Sequence, residues 1–120
     1  MRHYRAAWVV LLLVGLVAPV IAGDTVAASF QEVLEKAQNL SREGEWAEAA
    51  KAWAVVVERN PVFGPHWQER ARVCREAGDY MAAAAAYEKV LELGHGYRWQ
   101  AAYHIARCQA KLGDKEAALK

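Results

Sequence analysis

This 120-residue chain is short of the groups that most catalytic and metal chemistry needs. It has two cysteines, Cys74 and Cys108, and neither belongs to a CxxC, a CxxCH or a zinc pattern with a histidine. Its four histidines, His3, His66, His95 and His104, show no HExxH and no paired spacing. Gly94-His95-Gly96 lacks the third glycine and the preceding strand of a phosphate-binding loop. Glu43, Glu45 and Glu48 read as a solvated acidic turn rather than an acid–base pair. No catalytic, cofactor-binding or metal site is expected, and the chain is read as a non-enzyme. Charge of one sign is also missing. Fifteen basic residues face fourteen acidic ones, a net charge of +1. That balance gives no general pull toward nucleic acid, which is not expected as a partner.

One long apolar run is present. Met1 to Arg5 is a positive start, Ala6 to Val17 is nearly unbroken in its hydrophobicity, and Pro19 interrupts it before Val20-Ile21-Ala22. Residues 1–22 read as a signal peptide cleaved before Gly23, with 23–29 as a short linker. The rival is an uncleaved anchor in an inner membrane, since Ala6 to Ala22 is at the short limit for a span. Cleavage would leave no stable membrane span. Either way the expected location is exported: periplasmic, secreted, or anchored with the remainder outside the cytoplasm. Loss of Arg2 and Arg5 with the leader would make the balance 13 to 14, close to neutral.

The rest of the chain repeats itself. Gly44-Glu45-Trp46 stands 34 residues before Gly78-Asp79-Tyr80, and Gly113-Asp114-Lys115 follows 35 residues later. Ala37 maps to Ala71 and Ala106, Ala49 to Ala83 and Ala118, Trp53 to Tyr87, and Val33 to Trp67. A helical period of 34 residues is the signature of one kind of solenoid. These residues resemble the tetratricopeptide-repeat family, here of an exported bacterial type. The resemblance covers residues 30–120 and implies an all-α fold, a right-handed solenoid of antiparallel helix pairs. The repeats would be 30–63, 64–97 and an incomplete 99–120.

Local chemistry supports helices at the same places. Ser29 and Glu32 fit a capping box. Gly44 and Gly78 suit helix ends, and Asn60-Pro61 ends the second helix because proline disfavours helix in the residue before it. Pro65 suits a first turn. Ala49, Trp53 and Val56 make one apolar stripe, and Trp67, Ala71 and Cys74 another. Burying an aromatic such as Trp53 contributes about 2–3 kcal/mol. At Gly94-His95-Gly96 the pattern departs from the family, with one apparent extra residue that would rotate the third repeat. A last turn is expected at Gly113-Asp114, followed by a short second helix. Ile105, Ala118 and Leu119 would then border an exposed apolar edge. Either the sequence is a piece of a longer product, or that edge meets a partner or a second copy.

The resemblance implies that the first helix of each repeat lines a concave groove. Gln38 and Arg42 would face it from the first repeat, Gln68, Arg72 and Arg75 from the second, and Tyr103, Arg107 and Lys111 from the third. Such a basic floor suits a protein or peptide partner with an acidic segment or a terminal carboxylate. An ordinary solvated face, partly neutralised by Glu69 and Glu76, is the competing expectation. Leu34 and Glu69 stand where the chaperone-tail-binding members carry polar groups, so that specialised role does not transfer. The expected function is a non-catalytic interaction scaffold of the cell envelope. The alternative is an adaptor region of a larger exported enzyme or assembly factor. Cys74 and Cys108 are expected on neighbouring helices, one position out of register, either as buried thiols or as a disulfide.

Overall fold

The computed structural model describes residues 28–119, which form five helices. The expected signal peptide and most of the linker lie outside the described residues. The helices are α1 (Phe30–Arg42), α2 (Trp46–Arg59), α3 (Gly64–Glu76), α4 (Tyr80–Glu92) and α5 (Arg98–Leu119). Each packs against the next in chain order. The architecture is an all-α solenoid of helix pairs, as the 34-residue period predicts. The spacing is kept by the helix starts themselves: Phe30, Gly64 and Arg98 are 34 apart, and so are Trp46 and Tyr80.

The turns repeat as closely as the helices. Glu45, Asp79 and His95 each donate a backbone N–H to the carbonyl five residues back, on Leu40, Cys74 and Val90, at 2.9–3.1 Å. Gly44, Gly78 and Gly94, just before them, hold φ of 74°, 82° and 67°. This is a left-handed helix stop that a side chain would strain, and it satisfies carbonyls the helix leaves free. The starts differ more. Ser29 Oγ accepts from the Glu32 backbone N–H and Asp79 caps Ala82, whereas Glu45 and Phe63 make no side-chain cap bond. Pro65 occupies the first turn of α3.

Two core clusters fill the pairs. The first gathers Ala37, Ala49, Ala52, Trp53, Val56 and Val73, and the second Ala71, Cys74, Ala83, Ala86, Tyr87 and Cys108. Alanine lets the backbones approach, and Trp53 or Tyr87 fills the space left. Trp53 is also tied down: its indole N–H donates to Ser41 Oγ at 2.8 Å, and that hydroxyl donates to the Ala37 carbonyl at 2.9 Å.

Two expectations for the third repeat are corrected. First, no turn forms at Gly113-Asp114. Helix α5 runs on through both, and Gly113 lacks the positive φ of the other turn glycines. A glycine costs a helix only about 1 kcal/mol, so one within a 22-residue helix is tolerated. Second, the register does not slip at Gly94-His95-Gly96. Ala101 and Cys108 are buried, 34 residues beyond Trp67 and Cys74, whereas Ala106 is exposed. Cys108 is therefore in register with Cys74. The extra residue falls between Cys108 and Gly113, where a continuous helix absorbs it as one more step.

Candidate partner-binding groove

The first helices α1, α3 and α5 carry three adjoining recesses. One, of about 400 Å³, is lined by Gln38, Ser41, Arg42, Trp53, Glu69 and Arg72. The next, of about 210 Å³, is framed by Gln68, Glu69, Arg72 and Arg75 of α3, Tyr87 of α4, and Gln100 and His104 of α5. The third, of about 350 Å³, lies between Arg75 and Glu76 on one side and Arg107, Cys108 and Lys111 on the other. Arg72 and Glu69 line both the first and the second, and Arg75 lines both the second and the third. The recesses are thus one continuous path across the three first helices.

Seven of the eight expected groove residues line this path: Gln38, Arg42, Gln68, Arg72, Arg75, Arg107 and Lys111. Tyr103 lines none of these recesses. It lies on the exposed side of α5, with the Arg107 guanidinium 5.7 Å over its ring.

The guanidinium groups are held rather than free. Arg72 donates to Glu69 at 2.8 Å and lies 5.6 Å from the Trp46 ring centroid. The Glu69 hydrogen bond, more than any other influence, raises the Arg72 pKa against the opposing effect of burial. Arg75 reaches Nδ1 of His104 at 2.7 Å, and Glu76 at 3.9 Å. Arg42 donates to Asn39, and Arg107 to the Tyr103 hydroxyl at 3.4 Å. These contacts, part-buried at Arg72 and Arg75 and exposed at Arg42 and Arg107, fix the positions of the cations, and planar guanidinium groups so placed match carboxylates.

His104 is the group that the sequence does not single out. Its ring stacks on Tyr87, with centroids 4.8 Å apart and planes 15° apart. Burial lowers its pKa, and the charges of Arg75 and Arg107 lower it further. Its position between Ala101 and Cys108 is a signal that would have placed it beside the core, had the 34-residue register been carried through α5. The other missed contributors, His95, Gly96 and Tyr97, come from the junction that closes one end of the central recess.

Cys74 and Cys108 are free thiols, buried in the same cluster. Burial raises both thiol pKa values, which keeps the groups protonated and unreactive. Among the described residues no three His, Cys, Asp or Glu side chains gather where a metal ion would sit, and no helix is long and apolar enough to cross a membrane.

Residues 100–120, nearly all of them in α5, match the family model described as Tetratricopeptide repeat. The chain is similar to tetratricopeptide-repeat proteins. A curated relative, the Tetratricopeptide repeat and J domain-containing co-chaperone DNJ1 of Cryptococcus neoformans var. grubii, is 29% identical over 94 residues. That alignment covers 78% of this chain and 18% of the relative, so the chain spans less than a fifth of the length of the protein it matches.

Proposed function

We propose that this chain is a tetratricopeptide-repeat interaction scaffold that acts outside the cytoplasm and holds an acidic segment of a partner protein along α1, α3 and α5. The observation that carries this is the continuity of the three recesses through the shared Arg72 and Arg75. A groove that crosses three helices suits an extended peptide better than a small molecule. Its cations, Arg42, Arg72, Arg75, Arg107 and Lys111, outnumber the carboxylates beside them, Glu69 and Glu76. The apolar leader, residues 6–22, supports the export half of the proposal. No catalytic chemistry is assigned to the chain.

A second reading has its own support. The relative joins tetratricopeptide repeats to a J domain within one much longer chain, which favours an adaptor region of a larger protein. Both readings use the same groove.

The test is reversal of the floor. The variant Arg72→Glu, Arg75→Glu, Arg107→Glu is compared with the parent chain in affinity capture from an extract of the compartment that receives it, with helicity checked by circular dichroism. Loss of the captured partner at unchanged helicity is expected. Equal capture by both would overturn the groove assignment. N-terminal sequencing of the exported product tests location, with Gly23 expected as the first residue.

A further inference from the structure

His104 stands where three helices meet, and its ring is held from two sides. It stacks on Tyr87 of α4, with planes 15° apart, and Arg75 Nη1 of α3 lies 2.7 Å from its Nδ1. A guanidinium has no acceptor, so this contact needs a neutral imidazole whose Nδ1 accepts. In that state one arm of Arg75 is engaged by His104. The other arm has only a long contact, with Nη2 3.9 Å from a Glu76 carboxylate oxygen. Both side chains line the central recess of the groove.

Protonation of His104 removes the acceptor. The ring and the guanidinium then become two donors side by side, both positive. Among the described residues no carboxylate pairs with the imidazole. On α3, Glu69 is already bound to Arg72 at 2.8 Å. On α4 the facing group is the Tyr87 phenol, and the junction before α5 contributes His95 and Tyr97 to the same recess. On α5 itself Tyr103 lies edge-on to the ring, with Arg107 and Cys108 within the next turn. The charges that act on His104 are both positive, those of Arg75 and Arg107. The anion that would satisfy a protonated His104 must therefore come from a ligand.

We infer, on the groove reading above, that Arg75 and His104 form a proton-gated seat for a partner's carboxylate, closed at neutral pH by their own contact and opened when His104 takes up a proton. A carboxylate in the seat accepts one hydrogen bond from the guanidinium and one from the imidazolium, and its charge offsets their repulsion. Proton and carboxylate then favour each other's binding, because the coupling between two ligands is reciprocal. An acidic segment is held more tightly as pH falls from neutral, for as long as its own carboxylates stay ionised, down to about pH 4.

The probe is a peptide of alternating Asp and Ser, blocked at both ends, titrated into the full chain at about pH 7.5 and about pH 5.5. Helicity is checked at both by circular dichroism. Binding should tighten about threefold to tenfold on acidification, the worth of one added hydrogen bond. The NMR titration midpoint of the His104 ring should move to higher pH when the peptide saturates the chain. His104→Gln should remove the difference between the two pH values, and Arg75→Gln should reduce it. Equal affinity of the parent at both pH values overturns the seat and leaves the groove in place. A His104→Gln chain that keeps the parent's ratio also overturns the seat and moves the pH dependence to His95. No binding at either pH overturns the groove and the seat together.

Discussion

Arg75 Nη1 lies 2.7 Å from His104 Nδ1, and this contact joins the second and third first-helices across the middle of the groove. A guanidinium only donates, so Nδ1 must accept, and the imidazole is neutral with its proton on Nε2. Protonation would set His104 as a cation against Arg75 and Arg107, the charged groups that face it, while Tyr87 and Tyr103 flank its ring.

A pH dependence follows from this arrangement. His104 has a folded-state pKa below its ordinary value of 6.5, lowered by burial first and by Arg75 and Arg107 next. His66, among Phe30, Trp53 and Phe63, is lowered by burial alone. Below about pH 6.5 the unfolded chain binds more protons at these sites than the folded chain, so acid favours unfolding. Their contribution is present above that pH and is lost as pH falls toward the depressed folded values. Thermal midpoints between about pH 7.5 and 5 should fall, and His104→Gln should flatten part of the slope. Midpoints that rise on acidification would contradict the neutral imidazoles.

Gly64 opens α3 against the other junction. A Cβ there would collide with His95 Cβ and come within 2.8 Å of its Cγ. Gly64→Ala should therefore destabilise the chain by about 1–3 kcal/mol in urea unfolding, as overpacking does. Adding His95→Gly removes the colliding atoms and should recover part of that loss, a coupling a double-mutant cycle reads directly. Independent effects of the two changes would place the strain elsewhere.

The Trp53–Ser41 bond separates packing from hydrogen bonding. Trp53→Ala should cost about 3–5 kcal/mol as a cavity in the first core cluster. Ser41→Ala, which removes the acceptor and leaves the indole N–H buried, should cost about 1–3 kcal/mol. A Ser41→Ala change without measurable effect on unfolding would mean that the bond contributes nothing.

Cys74 and Cys108 should be silent toward a thiol reagent in the native chain and give two thiols on unfolding without reductant. Both are buried, and burial holds them protonated. A count of zero on unfolding would reveal a bridge.

The solenoid was legible because its spacing is written in several independent residues: the turn glycines, the buried alanines and the aromatics Trp53 and Tyr87. The helix stops at Gly44 and Gly78 were legible for the same reason. The third repeat was misread because Gly113 looks like a turn glycine. Whether a glycine stops a helix depends on what packs beyond it, and one residue does not encode that. Gly113 stands 35 residues after Gly78, one more than the period, so the turn glycines point to Ala106 rather than Ile105 and put Cys108 out of register. His104 escaped notice for a related reason. Its contacts with Arg75 and Tyr87 bring together three helices, and only the tertiary arrangement shows that the two guanidinium-rich faces meet. Helical spacing alone places Tyr103 beside Arg107, but the recess follows the flank of α5 that carries His104, Arg107 and Lys111.

The groove itself is tested most directly by where a bound partner touches the chain. A photocrosslinking residue is placed at Gln38, Gln68 or Lys111 on the first helices, and at Glu58 or Glu88 on the exposed sides of α2 and α4, in otherwise unaltered protein. Crosslinks to a captured partner are expected from Gln38, Gln68 and Lys111 and not from Glu58 or Glu88. Crosslinks from Glu58 and Glu88 alone would contradict a binding path along α1, α3 and α5.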